Sequence, residues 1–246
     1  MLRVTGLEKQ FVMHNVDGRV VEGLRGVDLD VHPGEHVALA GSSGAGKSSL
    51  LKCIYRTYLP SAGSVELRLG MGEIVDIAAL PDREMALLRG RELGYVSQFL
   101  HPEPRRSPIE IVMRAAVFRG IDRADARDAA ADALSRLQLD ESLWDVYASV
   151  LSGGEKQRVN LAAGTVSPPR LLLLDEPVSA LDPTNRDAAL ALIADLTDLG
   201  VAVLSVFHDL DAMSRLASAV ALMDAGRIVR TGPPSLVLPE LTGVAR

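Results

Sequence analysis

Two hydrophobic rhythms run through this chain. Val27, Leu29 and Val31 alternate with Asp28 and Asp30, the period-two pattern of a strand with one buried face. Residues 2–40 as a whole read as short strands, with turns at 15–19 and at Pro33-Gly34. The second rhythm is the uninterrupted apolar run. Residues 171–174, four leucines, and residues 201–207 have no polar alternation over most of their length, which is the pattern of parallel strands covered on both faces. Helical spacing fills the intervals. It predicts a helix from the glycine-rich segment at 41–49 to about Thr57, stopped before Pro60 and the Ser61-Ala62-Gly63 turn, and another over about 82–90. A strand pair falls within 64–77, and a strand over 93–97 ends at Gln98.

The middle of the chain changes character. Pro102, Pro104 and Pro108 interrupt it, and residues 109–119 and 123–139 then have helical patterning. In the second of these Ala126, Ala130, Ala133, Leu134 and Leu137 share one face, while Asp125, Arg127, Asp128, Asp132 and Arg136 form a solvated one. From Leu171 the order is strand, helix (about 185–199), strand (201–207), helix (210–216), strand (220–224). That alternation implies a parallel sheet with right-handed crossovers. The expectation is one α/β domain over 1–246: a core from 1–98 and 158–246 that includes an antiparallel β subdomain, and a helical insertion at 99–157. The tail, 231–246, reads as loosely packed.

Three segments carry chemistry. Gly41-Ser42-Ser43-Gly44-Ala45-Gly46-Lys47-Ser48-Ser49 follows the strand-like stretch 36–40 and opens a helix, the context in which a G-x-x-x-x-G-K-[ST] segment cradles phosphates. Its glycines allow positive φ and close approach of backbone N–H groups to an anion. Lys47 can reach the β- and γ-phosphates, and the Ser48 hydroxyl can ligate Mg²⁺. The second segment is Leu151-Ser152-Gly153-Gly154-Glu155, and the third is Asp175-Glu176 at the end of the leucine run. Adjacent acids at a strand end can be simple turn formers, but a buried strand delivers both carboxylates toward the phosphate loop. An ordinary Gly/Ser turn at 41–49 would not bring the other two segments with it in this order. The reading is nucleoside triphosphate binding and hydrolysis.

Composition narrows the class. A formal charge of −6 and a pI near 5.4 exclude a generally basic surface, so nucleic acid is not expected as the main partner. With 48% hydrophobic residues the chain can fill a sizeable core. The single Cys53 falls on the helix after the phosphate loop and reads as a buried structural thiol in a reducing compartment. No apolar run reaches the length of a membrane span, and the first ten residues lack the pattern of a secretory leader; a cytoplasmic protein that meets a membrane only through a partner is expected.

These motifs resemble the ATP-binding-cassette ATPase family across nearly the whole chain. The resemblance implies that Asp175 holds Mg²⁺ through water, that Glu176 polarises the attacking water, and that Gln98 is the Q-loop glutamine contacting Mg²⁺ or that water. It implies that His208 is the switch histidine at the γ-phosphate, and that 179–182, ending in Asp182, is the loop crossing the dimer interface. Ser152, Gly153, Gly154 and Glu155 would close over nucleotide held by a second chain, so a homodimer or a heterodimer with a related ATPase is expected. Phe11 is the candidate to stack on adenine; a core Phe at a strand end is the alternative. Ala163-Gly164 departs from the family, many of whose members have an arginine there.

Within the family, the stretches at 58–60, 96–100, 143–144, 158–160 and 207–209 resemble the L-type ATP-binding subunits of bacterial phosphonate carbon-phosphorus lyase systems. That likeness implies an ATPase docked on a carbon-phosphorus lyase core complex. The competing expectation is the ATPase of a membrane transporter of the lipoprotein-release or macrolide-export type, with a permease docked beside the stretch 101–108. A non-hydrolysing nucleotide sensor is a third reading, against which the intact Lys47, Asp175, Glu176 and His208 argue.

Overall fold

A computed structural model describes residues 1–13, 19–98 and 105–241. The alternation at 27–31 belongs to β2 (Arg19–Val31), which pairs antiparallel with β1 (Leu2–Met13) in the register Leu2↔Val31. Val27, Leu29 and Val31 are buried while Asp28 and Asp30 are exposed. The turn predicted at 15–19 lies almost wholly outside the described residues. The chain then forms β3 (His36–Ala40), crosses the loop 41–46 and enters α1 (Lys47–Ile54). This helix stops three residues short of the expected Thr57, because Arg56 takes a left-handed conformation at φ 60° and turns the chain. With β4 (Ala62–Arg68) and β5 (Ile74–Asp76) the first sheet is complete, in the order β2-β1-β4-β5.

Next come α2 (Asp82–Arg91) and β6 (Leu93–Val96), followed by α3 (Pro108–Phe118), α4 (Ala126–Arg136) and α5 (Gly153–Thr165). A capping box between Ser107 and Glu110, with Pro108 at the first helical position, starts α3. The helix α4 is shorter at both ends than predicted, and Gln138 at φ 55° turns the chain beyond it. Its predicted faces hold: Ala126, Ala130, Leu134 and Leu137 are buried, and the five charged residues are exposed.

The remaining elements are β7 (Leu171–Asp175), α6 (Pro183–Asp198), β8 (Ala202–Val206), α7 (Leu210–Leu216), β9 (Ala219–Asp224), β10 (Arg227–Gly232) and α8 (Pro234–Leu241). The second sheet has the order β10-β9-β3-β8-β7-β6, parallel except for the β9–β10 pair. The expectation of a loose tail is corrected up to residue 241. Strand β10 is hydrogen-bonded to β9, and α8 inserts the fully buried Val237. Pro233, Pro234 and Pro239 suggest breakers in the sequence, yet the first two lie at the entry to α8, where the missing N–H is tolerated.

The apolar runs are explained by two cores, one on each face of the second sheet. Ala38, Ala40, Leu172, Leu174 and Val203 pack with the helical side. Val37, Leu39, Leu171, Leu173 and Leu204 pack with α1 and the first sheet. Each buried Leu or Val contributes roughly 1.5–3 kcal/mol by leaving water. Cys53 is 1% exposed in the second of these cores, and burial pushes its thiol up to about 11. Among the described residues no helix is long and apolar enough to cross a membrane.

Candidate nucleotide site

The phosphate loop is shaped by contacts that only glycine permits. Gly41 leaves β3 at φ 134°, and a Cβ there would stand 2.1 Å from the carbonyl oxygen of Met223 on β9. Gly46 caps α1 at φ 105°, where a Cβ would meet the Gly23 carbonyl at 2.7 Å. Between them Ser42, Ser43 and Gly44 are exposed, and the buried Ala45 donates its N–H to the Ser42 carbonyl at 3.2 Å. Lys47 opens α1 and is 6% exposed. Its Nζ donates to the carbonyls of Gly41 at 2.7 Å and Ser42 at 2.8 Å, so the ammonium is held against the loop itself. Burial lowers its pKa, while the Glu176 and Asp175 carboxylates oppose that shift. Ser48 follows, half-buried like its neighbour Ser49, and its hydroxyl donates to Asp175 Oδ1 at 2.9 Å.

Three strand ends deliver the acidic side of the site. The buried leucines of β7 bring Asp175, 5% exposed, to the edge of the sheet beside Ser48. Glu176 comes next in a left-handed conformation, φ 53°, and its N–H is tied to the Val206 carbonyl at 3.0 Å. Positive φ in a non-glycine residue is strained and is found where the surroundings over-determine it. Here it aims the carboxylate between two partners. Gln98, just past β6, donates Nε2 to Glu176 Oε2 at 2.8 Å, and His208, just past β8, has Nε2 2.8 Å from Glu176 Oε1. A cavity of about 390 Å³ opens here, lined by Glu176, Ser179, Arg186, His208 and Asp209 among others. Such a crevice at the carboxyl ends of parallel strands is where open α/β sheets bind ligands.

The segment 152–155 forms the start of α5. The Ser152 hydroxyl accepts from the Glu155 N–H at 3.3 Å, and the Ser152 N–H donates to Glu155 Oε2 at 2.7 Å. That backbone hydrogen bond holds the Glu155 carboxyl below its usual range. A Cβ on Gly153 would meet nothing, whereas one on Gly154 would lie 3.0 Å from the Ala180 carbonyl. Asp182 caps α6 by accepting from the Asn185 N–H at 3.1 Å, and the Asn185 hydrogen bonds lower its pKa. Among the described residues no hydrogen bond joins Ser152, Gly153, Gly154 or Asp182 to the loop 41–49. The protomer therefore displays two separate sets of groups.

Phe11 is near the loop. Its ring lies against Gly23, where a Cβ would stand 2.6 Å from Cε2, and Gly23 in turn abuts Gly46. Tyr58 meets it edge-on at 5.3 Å, and Lys9 Nζ is 5.1 Å from its centre. The ring is half-buried.

Sequence reasoning missed several residues here. The Tyr95 hydroxyl donates to Asp175 Oδ2 at 3.3 Å, and burial raises its pKa well above the ordinary value. Gln157 Nε2 bonds the carbonyls of Ser97 at 3.3 Å and Pro177 at 3.0 Å, and Asn160 Nδ2 bonds the Ser97 carbonyl at 2.7 Å. These two amides pin α5 to the residues flanking Gln98 and Glu176. A polar pair beside Val159, Leu161 and Ala162 was a visible signal for them. Arg186 pairs with Asp209 and, at 3.0 Å, with Asp211, linking α6 to the turn that carries His208. The departure at Ala163-Gly164 has a packing reason, since a Cβ on Gly164 would stand 2.4 Å from Val96 Cγ2. Arg119, the C-cap of α3, donates to the Gly164 and Ser167 carbonyls at 2.8 and 3.1 Å.

A glycine-shaped phosphate loop, a lysine on it, and a Ser–Asp pair beside a carboxylate held by Gln and His define a P-loop nucleoside triphosphatase. The chain belongs to the ABC transporter family, whose model matches residues 24–179. It is 36% identical over 234 residues to the methionine import ATP-binding protein MetN of Xanthomonas axonopodis pv. citri, covering 95% of this chain and 67% of that protein. It is 35% identical to MetN of Thermobifida fusca over 94% of this chain and 70% of that one. The chain thus spans about two thirds of the length of these relatives. A dimeric ATP-binding cassette solved in a post-hydrolysis state with ADP and Pi superposes with a TM-score of 0.86 at 25% identity, covering 95% of this chain and 99% of that one. A dimeric bacterial ABC transporter cassette superposes equally well, at 26% identity and the same coverage. The chain is accordingly an ABC ATPase that binds ATP with Mg²⁺ and hydrolyses it.

Proposed function

We propose that two chains of this kind close around MgATP and that the closure drives a partner assembly. The observation that carries this is the separation, within one protomer, of the loop 41–49 from the helix start at Ser152–Gly154. Donors at a glycine-lined helix N-terminus suit a phosphate, and a second chain supplies the phosphate they face. In each site Lys47 stabilises the β- and γ-phosphates. Ser48, Asp175 and Gln98 would hold Mg²⁺, whose preference for hard oxygen donors their side-chain oxygens meet. The metal supplies charge neutralisation at the phosphates. Glu176, gripped on both oxygens, orients and deprotonates the attacking water, and His208 contacts the γ-phosphate. Phe11 offers its ring to the base.

The family model and the methionine import relatives support a membrane permease as the partner. Its docking place would be the groove between α2 and α3, about 940 Å³, lined by Leu87, Arg91, Met113, Arg114 and Phe118 among others. Residues 101–104 of the predicted docking stretch 101–108 lie outside the described residues. The second partner reading, the carbon-phosphorus lyase core complex, rests on the sequence likeness of the stretches 58–60, 96–100, 143–144, 158–160 and 207–209 alone, and the import relatives above do not support it. A strain lacking the chain separates the two. Loss of growth on methylphosphonate as sole phosphorus source, with growth on phosphate intact, selects the lyase; loss of uptake or export of a solute, with methylphosphonate growth intact, selects the permease. Absence of MgATP hydrolysis by the purified chain with its partner would refute both.

A further inference from the structure

Tyr95 lies on β6 beside Leu173 of β7, one strand away from the acidic pair. Its ring is stacked on Tyr55, with centroids 4.8 Å apart and planes at 21°. Tyr55 is clamped in turn: Arg89 stands 5.0 Å from its ring and donates to the carbonyls of Tyr55 at 3.0 Å and Arg56 at 2.7 Å. The phenol is therefore fixed by its neighbours rather than free to follow the carboxylate it touches. It donates to Asp175 Oδ2, while Ser48 donates to Oδ1. A carboxylate with a fixed donor on each oxygen has no freedom left in its terminal torsion, and its remaining lone pairs keep one direction. A role in packing alone would be met equally well by phenylalanine.

We propose that Tyr95 is a positioning residue that holds Asp175 in the orientation needed for the Mg²⁺ of MgATP. This rests on Asp175 serving the metal, as read above. The inference concerns orientation and not charge: Tyr95→Phe leaves every formal charge in place.

The test is binding of a fluorescent ATP analogue by the full chain, titrated with Mg²⁺ and repeated in EDTA. For Tyr95→Phe the Mg²⁺ concentration giving half-maximal binding should rise about fivefold, less than the roughly tenfold low end for a hydrogen bond to a charged group because the contact is long. Metal-free binding should not change. Tyr95→Leu should show the same Mg²⁺ shift together with a lower Tm from the lost stack. An unchanged Mg²⁺ requirement in Tyr95→Phe overturns the proposal, and so does a lowered one, which would mean that the phenol competes with the metal. Asp175→Asn is the control on the underlying reading: if it leaves the Mg²⁺ dependence unaltered, Asp175 does not serve the metal and the failure lies there.

Discussion

Replacing Glu176 by glutamine isolates basicity from shape. In the structure the carboxylate accepts from Gln98 at 2.8 Å and faces His208 Nε2 at 2.8 Å. The glutamine amide can keep both contacts, its oxygen accepting from Gln98 and its NH₂ donating to His208 Nε2 when the imidazole proton is on Nδ1. The fold around β7 is therefore retained, and exchanging carboxylate for amide opposite the largely exposed His208 costs less than about 1 kcal/mol. What disappears is the proton acceptor for the lytic water. General-base catalysis contributes roughly a hundred- to ten-thousandfold, so phosphate release should fall by that factor. ATP binding should stay the same or tighten, since a negative charge beside the phosphates has been removed. Steady-state phosphate release together with size-exclusion chromatography in MgATP measures both quantities, and the variant should elute as a stable dimer. Turnover within threefold of the parent chain would refute the assignment of Glu176 as base, whatever the elution profile.

Three further outcomes follow from the geometry. Gly41→Ala should abolish nucleotide binding and lower Tm, because its Cβ would collide with the fixed Met223 backbone; an ATP-dependent melting shift equal to that of the parent chain would contradict this. Ser152→Arg should bind ATP normally yet remain monomeric in MgATP by light scattering, since it leaves the loop 41–49 intact and places a bulky cation on the closing surface; dimer formation would refute the two-chain site. His36 is wholly buried against Ser205, with its pKa lowered by burial from 6.5 to about 3. The unfolded chain takes up a proton below pH 6.5 that the folded chain refuses, so stability present above 6.5 is lost as pH falls, by about 2 kcal/mol at pH 5. His36→Gln should flatten the Tm profile between pH 6.5 and 5, and an unchanged slope would refute the linkage.

The legible parts of this molecule are those in which local chemistry and global position coincide. The glycine-dependent shape of 41–49 could be read because Gly41 and Gly46 stand where a Cβ would strike backbone, and 171–176 because four leucines in a row suit a doubly covered strand. The cohesion of the site was less visible. Tyr95 differs from any aromatic residue in a strand only through Asp175, eighty positions away, and Arg186 only through the partner acids at 209 and 211. The tail misled because a chain end is ordinarily loose unless something ties it down, while here the β9–β10 pairing that organises it joins Asp224 to Arg227 across a two-residue turn. Helix ends were misplaced where Arg56 and Gln138 adopt positive φ, a choice made by tertiary packing in residues with no intrinsic taste for it.

The way α5 is anchored bears on how closure and hydrolysis are connected. Its first turn, Ser152 to Glu155, is the surface that the proposed two-chain site offers to a second chain. Its next turns carry Gln157 and Asn160, whose amides grip the Ser97 and Pro177 carbonyls, the residues immediately before Gln98 and after Glu176. Both gripped carbonyls are main-chain atoms, and Gln157 is 2% exposed, so these bonds are shielded from exchange with water. A displacement of the helix N-terminus toward an opposing nucleotide thus pulls on the two segments that aim Gln98 and Glu176 at each other. Arg119, next in sequence to the groove-lining Phe118, ties the end of α3 to α5 through the Gly164 carbonyl. On the proposed function, partner docking, dimer closure and orientation of the Glu176 carboxylate would all act through α5. A partner can accelerate hydrolysis by positioning α5 without contributing a side chain to the chemistry.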